Sequence, residues 1–145
     1  MLRFIKILIP ILFLTSCGLK PSIEDPKLSD RVFSLEEFFV GETVAHGQFQ
    51  DVLGNVSLRF LVNIKGSWDG SDLVLVEDFT YEDGYEEQRI WTLTKIGENG
   101  WAGSAEGVIG TAEGKTNGDM FYWAYTIDLP TPNGKRRVSF KDYMW

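Results

Sequence analysis

Few side chains in this sequence can do covalent or ionic chemistry, and their spacing narrows the options further. Cys17 is the only cysteine among 145 residues, and it directly follows Leu14-Thr15-Ser16 at the end of an apolar N-terminal run. Without a second thiol it can form no intramolecular disulfide, so the core must carry stability alone. Its position suits an acceptor of acyl chains better than a nucleophile or a metal ligand. His46 is the only histidine, which excludes a histidine-rich metal site. A Ser-His-Asp arrangement would have to use it, yet no Gly-x-Ser-x-Gly elbow is present. His46 is therefore expected to be a surface or packing residue.

The densest polar stretch runs from Glu77-Asp78-Phe79-Thr80-Tyr81 to Glu86-Glu87. Its oxygens are out of register for a calcium loop. A solvated hairpin accounts for Glu82, Asp83, Glu86 and Glu87. Glu77 and Asp78 interrupt an otherwise apolar strand pattern, so one of them must face inward or pair with a base such as Arg89. That makes Glu77 a candidate pocket carboxylate. The aromatic residues Trp91, Trp101, Phe121, Trp123 and Tyr125 either fill a core or line an apolar pocket. No cofactor motif accompanies them. The glycine-rich stretch Gly103 to Gly114 lacks both a P-loop lysine and dinucleotide spacing. It reads better as two short strands with a bend near Gly107, where glycine lets backbones approach closely.

The N-terminal segment explains the cysteine. Arg3 and Lys6 form a positive start, Ile7 to Leu14 a short apolar stretch, and Thr15-Ser16 a small polar pair before Cys17. This resembles the lipobox of a bacterial lipoprotein signal peptide. The alternative is an ordinary signal peptide with an incidental cysteine. The run is well short of the roughly 20 apolar residues of a membrane-spanning helix. The expected organisation is a signal peptide over 1–16, a lipidated tether over 17–30 with Pro21 and Pro26, and one domain over 31–145. Acyl chains such as palmitate on Cys17 would give stable anchoring. Gly18, rather than Asp, follows the cysteine, which by resemblance favours the outer membrane, with the domain facing the periplasm.

Cleavage would remove Arg3 and Lys6, leaving 12 basic against 21 acidic side chains, a net charge of −9. So acidic a surface repels nucleic-acid phosphates, and no nucleic-acid partner is expected. It also disfavours electrostatic docking on anionic head groups, so the membrane contact would come from the lipid anchor.

Ser34-Leu35-Glu36-Glu37 has the form of a capping box, and Gly41 stops that segment after little more than a turn, predicting one short helix. From Thr43 onward the apolar period becomes two. Leu58, Phe60, Val62 and Ile64 share one face, as do Leu73, Leu75 and Phe79. Phe121, Trp123, Tyr125, Ile127 and Leu129 form the clearest stripe, and Val138, Phe140 and Met144 continue the style. Gly-containing turn signals separate the runs at Gly54, Gly70, Gly84, Asn99-Gly100, Gly118 and Asn133-Gly134. The prediction is an all-β fold: an antiparallel meander of about eight strands curled into a lipocalin-like barrel or half-barrel, with one short helix before the first strand.

Several motifs in order resemble one uncharacterised bacterial lipoprotein family, the domain of unknown function numbered 3833. They are Leu35-Glu36-Glu37-Phe38-Phe39, Ala45-His46-Gly47-Gln48-Phe49, Gly66-Ser67-Trp68-Asp69-Gly70, Arg89-Ile90-Trp91-Thr92-Leu93 and Trp123-Ala124-Tyr125-Thr126-Ile127. His46 departs from the aromatic residue of many relatives, and those relatives continue past Asp142-Tyr143-Met144. The resemblance implies a lipocalin-like (calycin) shape and a link to fatty-acid modification. The expected function is a membrane-anchored envelope lipoprotein that binds or shields an apolar ligand such as a fatty acid or modified lipid. Trp91, Phe121, Trp123 and Tyr125 would hold the chain, and Glu77 or Arg89 would meet its polar head. The alternative is a structural or protein-interaction lipoprotein with a filled core. With no nucleophile–base pair or metal cluster in view, an enzyme is not expected.

Overall fold

The computed structural model describes residues 21–27, 29–131 and 134–145; Cys17 and the leader lie outside the described residues. The order of elements is α1 (Leu35–Phe38), β1 (Gly41–Gln50), β2 (Val56–Trp68), β3 (Asp72–Tyr81), β4 (Glu86–Ile96), β5 (Gly100–Ala105), β6 (Ala112–Asn117), β7 (Met120–Thr131) and β8 (Gly134–Met144). The eight strands form one antiparallel sheet in sequence order, each hydrogen-bonded to its neighbour in the chain. The sheet curls into a half-barrel. β1 and β8 are its edges, and the Phe49 and Phe140 rings bridge the seam between them with centroids 5.3 Å apart.

The period-2 pattern builds this shape directly. Along β3, Leu73, Leu75, Phe79 and Tyr81 are buried while Asp78 and Thr80 are exposed. Along β7, Phe121, Trp123 and Ile127 are buried. Both stripes face the concave side, where they meet Val62, Ile64, Trp91, Leu93 and Trp101 in a single core. Small residues make room for the largest rings. A Cβ on Gly114 would lie 2.4 Å from Trp123 and 2.7 Å from the Tyr122 carbonyl, and one on Gly103 would lie 2.8 Å from Trp123. The glycine-rich stretch thus lets the Trp123 indole lie flat against β5 and β6. Gly107, at φ +82°, provides the expected bend between those strands.

The alternating turns sort into two ends. The β1–β2, β3–β4, β5–β6 and β7–β8 connections lie at one, here called the hairpin end. The β2–β3, β4–β5 and β6–β7 connections lie at the other, together with α1. The α1 segment plugs its end: Leu35 is fully buried, Phe39 nearly so, and Phe33 stacks 6.4 Å from Phe121. Gly66 admits it closely, since a Cβ there would sit 1.9 Å from the Phe39 carbonyl oxygen.

Two local expectations are corrected. Ser34 is the N-cap of α1 but makes no side-chain capping bond. The Glu36 carboxylate beside it pairs instead with Lys95 on β4. A tertiary ion pair thereby replaces the local box. In the β4–β5 turn the left-handed backbone position is Gly97 (φ +64°), not Gly100, because Ile96 pairs with Gly100 and leaves Gly97-Glu98-Asn99 as the loop.

Candidate functional site

An inward position on a mostly apolar concave face is costly for a charged side chain, yet Glu77, Glu87, Arg89 and Asp142 occupy such positions. Glu77 follows Leu73 and Leu75 on the inner face of β3. Its partner across the ladder is Arg89 of β4. Arg89 is 9% exposed, donates to the Glu87 carboxylate at 2.5 Å and lies over the Phe79 ring with its guanidinium carbon 5.1 Å from the centroid. Asp142 of β8 comes from the opposite wall, beside the Tyr125 hydroxyl. The Trp91 indole flanks Glu77 on the same face. The Trp91 and Tyr125 rings, 5.0 Å apart, join β4 to β7 across the cup, and Glu77 and Asp142 come close enough for each other's charge to matter.

Its electrostatics follow from burial and charge count. Three carboxylates, Glu77, Glu87 and Asp142, share one guanidinium, and Arg89 is already paired with Glu87. Burial raises Glu77 to about 7; Arg89 opposes the shift, while Asp142 and Glu87 add to it. Burial also raises Asp142 to about 6, against the neighbouring Tyr125 hydroxyl and the charge of Arg89. The Tyr125 hydroxyl is pushed up by burial and then by Asp142, so it stays protonated. Tyr81 shifts upward through burial and Glu87, to which its hydroxyl donates at 3.0 Å. The site can hold and exchange protons near neutral pH while remaining lined by rings.

The six residues singled out in the sequence all lie on this concave side. Trp91 packs edge-on to Trp123 at 5.5 Å and to Tyr125 at 5.0 Å, and Phe121 packs on Trp123 at 5.7 Å. Trp91, Phe121 and Trp123 are only 2–4% exposed and belong to the packed core. Tyr125, Glu77 and Asp142 are half-buried and keep a path to solvent. Around that path stand Phe140, 5.3 Å from Tyr125, and Phe49, 4.8 Å from Phe60. Asp78 points outward and accepts from Gln88 at 2.7 Å, which leaves Glu77 as the inward carboxylate. His46 is exposed on the convex face of β1. Among the described residues no group of His, Cys, Asp and Glu side chains is placed to hold a metal ion.

A family model described as "Protein of unknown function (DUF3833)" matches residues 11–145. The chain belongs to that family. No curated protein and no solved structure matches the chain. The span shared with DUF3833 contains every residue of the cross-cup cluster.

Sequence reasoning missed Asp142, Glu87 and Tyr81 as members of the site. A signal for Asp142 was present: it occupies the inward position between Phe140 and Met144 in an apolar stripe, as Glu77 does between Leu75 and Phe79. Glu87 had no such mark, because a hairpin rim and a cluster member look alike in sequence.

Proposed function

We propose that this protein is a lipid-anchored envelope lipoprotein whose half-barrel holds an amphiphile, a fatty acid or modified lipid, at the seam between β1 and β8. The carrying observation is the Glu77–Arg89–Asp142 cluster beneath an aromatic wall. Ionisable groups on a concave apolar face cost stability, and such a cost is characteristic of functional sites. In this account the polar head meets Arg89, Glu77 and Asp142, and the chain runs along Tyr125, Phe140, Phe49 and Phe60. Trp91, Phe121 and Trp123 form the floor that sets the depth of the site. The anchor is Cys17, acylated after cleavage of the leader, which places the domain on the periplasmic side of the outer membrane.

A second reading is supported by the burial of Trp91, Phe121 and Trp123: a filled domain with no ligand, in which the cluster only latches two walls together and the protein serves as a structural or interaction component. The two readings differ in a titration with a fluorescent long-chain fatty acid. The wild type should bind it saturably and several-fold more tightly at pH 5 than at pH 8, because protonated Glu77 and Asp142 can donate to its carboxylate whereas the ionised pair repels it. An absence of saturable binding at either pH would support the filled domain.

A further inference from the structure

The residues leading into the fold are fixed at one end of the half-barrel. Asn117 in the β6–β7 hairpin donates to the Ile23 carbonyl at 2.8 Å and accepts from Lys27 at 2.8 Å. The Ser29 N–H reaches Asp119 at 2.9 Å, and the Phe33 N–H reaches the Gly118 carbonyl at 2.8 Å. The chain therefore runs along the α1 end before Phe33 and Leu35 enter the core. Cys17 is only six residues before Ile23. Even fully extended, those residues span at most about 20 Å.

That reach limits orientation. Strands of ten to thirteen residues make the half-barrel roughly 25–30 Å tall once tilted. An acylated Cys17 at the bilayer surface thus cannot hold the domain upside down, with the hairpin end on the lipid and the α1 end farthest from it. Lying on its convex face would set Arg59, Asn63, Lys65, Asp78 and Gln88, all exposed, against lipid. The α1 end presents apolar side chains instead: Val32 is 74% exposed, Phe38 and Val40 each 53%, and Ile96 56%. Glu37 and Glu98 share this end and would be repelled by anionic head groups.

We infer that the α1 end of the half-barrel is a membrane-contact face, with Val32, Phe38, Val40 and Ile96 seated in the interfacial region of a bilayer of zwitterionic lipid. This rests on the lipid-anchor part of the proposed function and adds an orientation to it. The hairpin end, where Val52 and Leu53 are exposed beside Glu82, Asp83 and Glu86, then points away from the membrane, because the short reach from Cys17 to Ile23 does not extend to it. A lipid surface covers apolar groups that a freely soluble domain would leave in water.

The test uses the full acylated chain in phosphatidylcholine vesicles containing doxyl-labelled lipid. Cys17 is the only native cysteine, so an introduced thiol is the only free one for an environment-sensitive fluorophore. Fluorophore on Val40→Cys or Ile96→Cys should be quenched at least twofold more than on Leu53→Cys at the hairpin end. The two α1-end positions are independent, so a folding defect in one leaves the other informative. Equal quenching at all three, or stronger quenching at Leu53→Cys, with the acyl mass on Cys17 intact, would overturn the orientation alone. A purified chain lacking any acyl mass would overturn the anchor, and the orientation with it.

Discussion

Replacing Arg89 by methionine is expected to cost about 3–5 kcal/mol of folding stability near pH 8, which a urea titration would measure. Arg89 is 9% exposed and is bonded to Glu87 at 2.5 Å. Its charge also favours ionisation of both Glu77 and Asp142. Methionine keeps much of the packing volume against Phe79 but leaves three carboxylates facing one another with no cation among them. The loss should shrink below about pH 5, where Glu77 and Asp142 take up protons and the uncompensated charge disappears. Adding Glu87→Gln to the Arg89 variant should restore part of the stability, because it removes the carboxylate that lost its direct partner. An Arg89→Met protein as stable as wild type at pH 8 would mean that the guanidinium is not what balances the cluster.

Neutralising either raised carboxyl should have the opposite effect, with a defined pH dependence. Glu77 titrates at about 7 in the folded protein against an ordinary 4.5, and Asp142 at about 6 against 3.8. Both bind their protons more tightly when folded. Their favourable contribution is therefore complete below about pH 4 and is lost as pH rises through about 6 for Asp142 and 7 for Glu77. At pH 8 the fold carries two half-buried charges that it would hold better as neutral groups. Glu77→Gln should then raise stability at pH 8 by on the order of 1–3 kcal/mol and leave it little changed at pH 4. Asp142→Asn should show the same trend with its midpoint about one pH unit lower. Comparing each variant with wild type cancels the acids Asp51, Asp69 and Asp128, which are shifted downward and act with the opposite sign. A variant difference that stays flat from pH 4 to pH 8 would contradict the buried character of the cluster.

These two results bear on function because they separate cost from purpose. A latch optimised for stability would not keep two carboxyls whose ionisation opposes folding near neutral pH. A site that meets a ligand's polar head there has reason to keep them, since as neutral acids they donate to that head and as carboxylates they accept from it.

The meander was legible because each of its signals is local. The alternation of Leu58, Phe60, Val62 and Ile64 assigned a face to β2, and Gly54, Gly70, Gly84 and Gly118 marked turns by the positive φ they adopt. Register then follows from short connections between consecutive strands. Glu77 and Arg89 were also accessible, since adjacent strands joined by a tight hairpin bring them opposite each other. What the pattern does not encode is the curl. The meeting of Asp142 and Tyr125 with Glu77 depends on how far an eight-stranded sheet bends, which is set by the accumulated twist and by packing around Trp123 rather than by any local motif. The capping box failed for a related reason: the start of α1 is tied down by the Glu36–Lys95 pair, a contact with β4 far away in sequence, and Ser34 makes no capping bond.

The most direct test of the proposed amphiphile site is native mass spectrometry of the mature chain carrying Cys17→Ser, purified from bacterial cells. The account predicts a population with a single bound amphiphile that is released on unfolding. Recovery of the bare polypeptide mass alone, across growth conditions and after incubation with long-chain fatty acids, would contradict it.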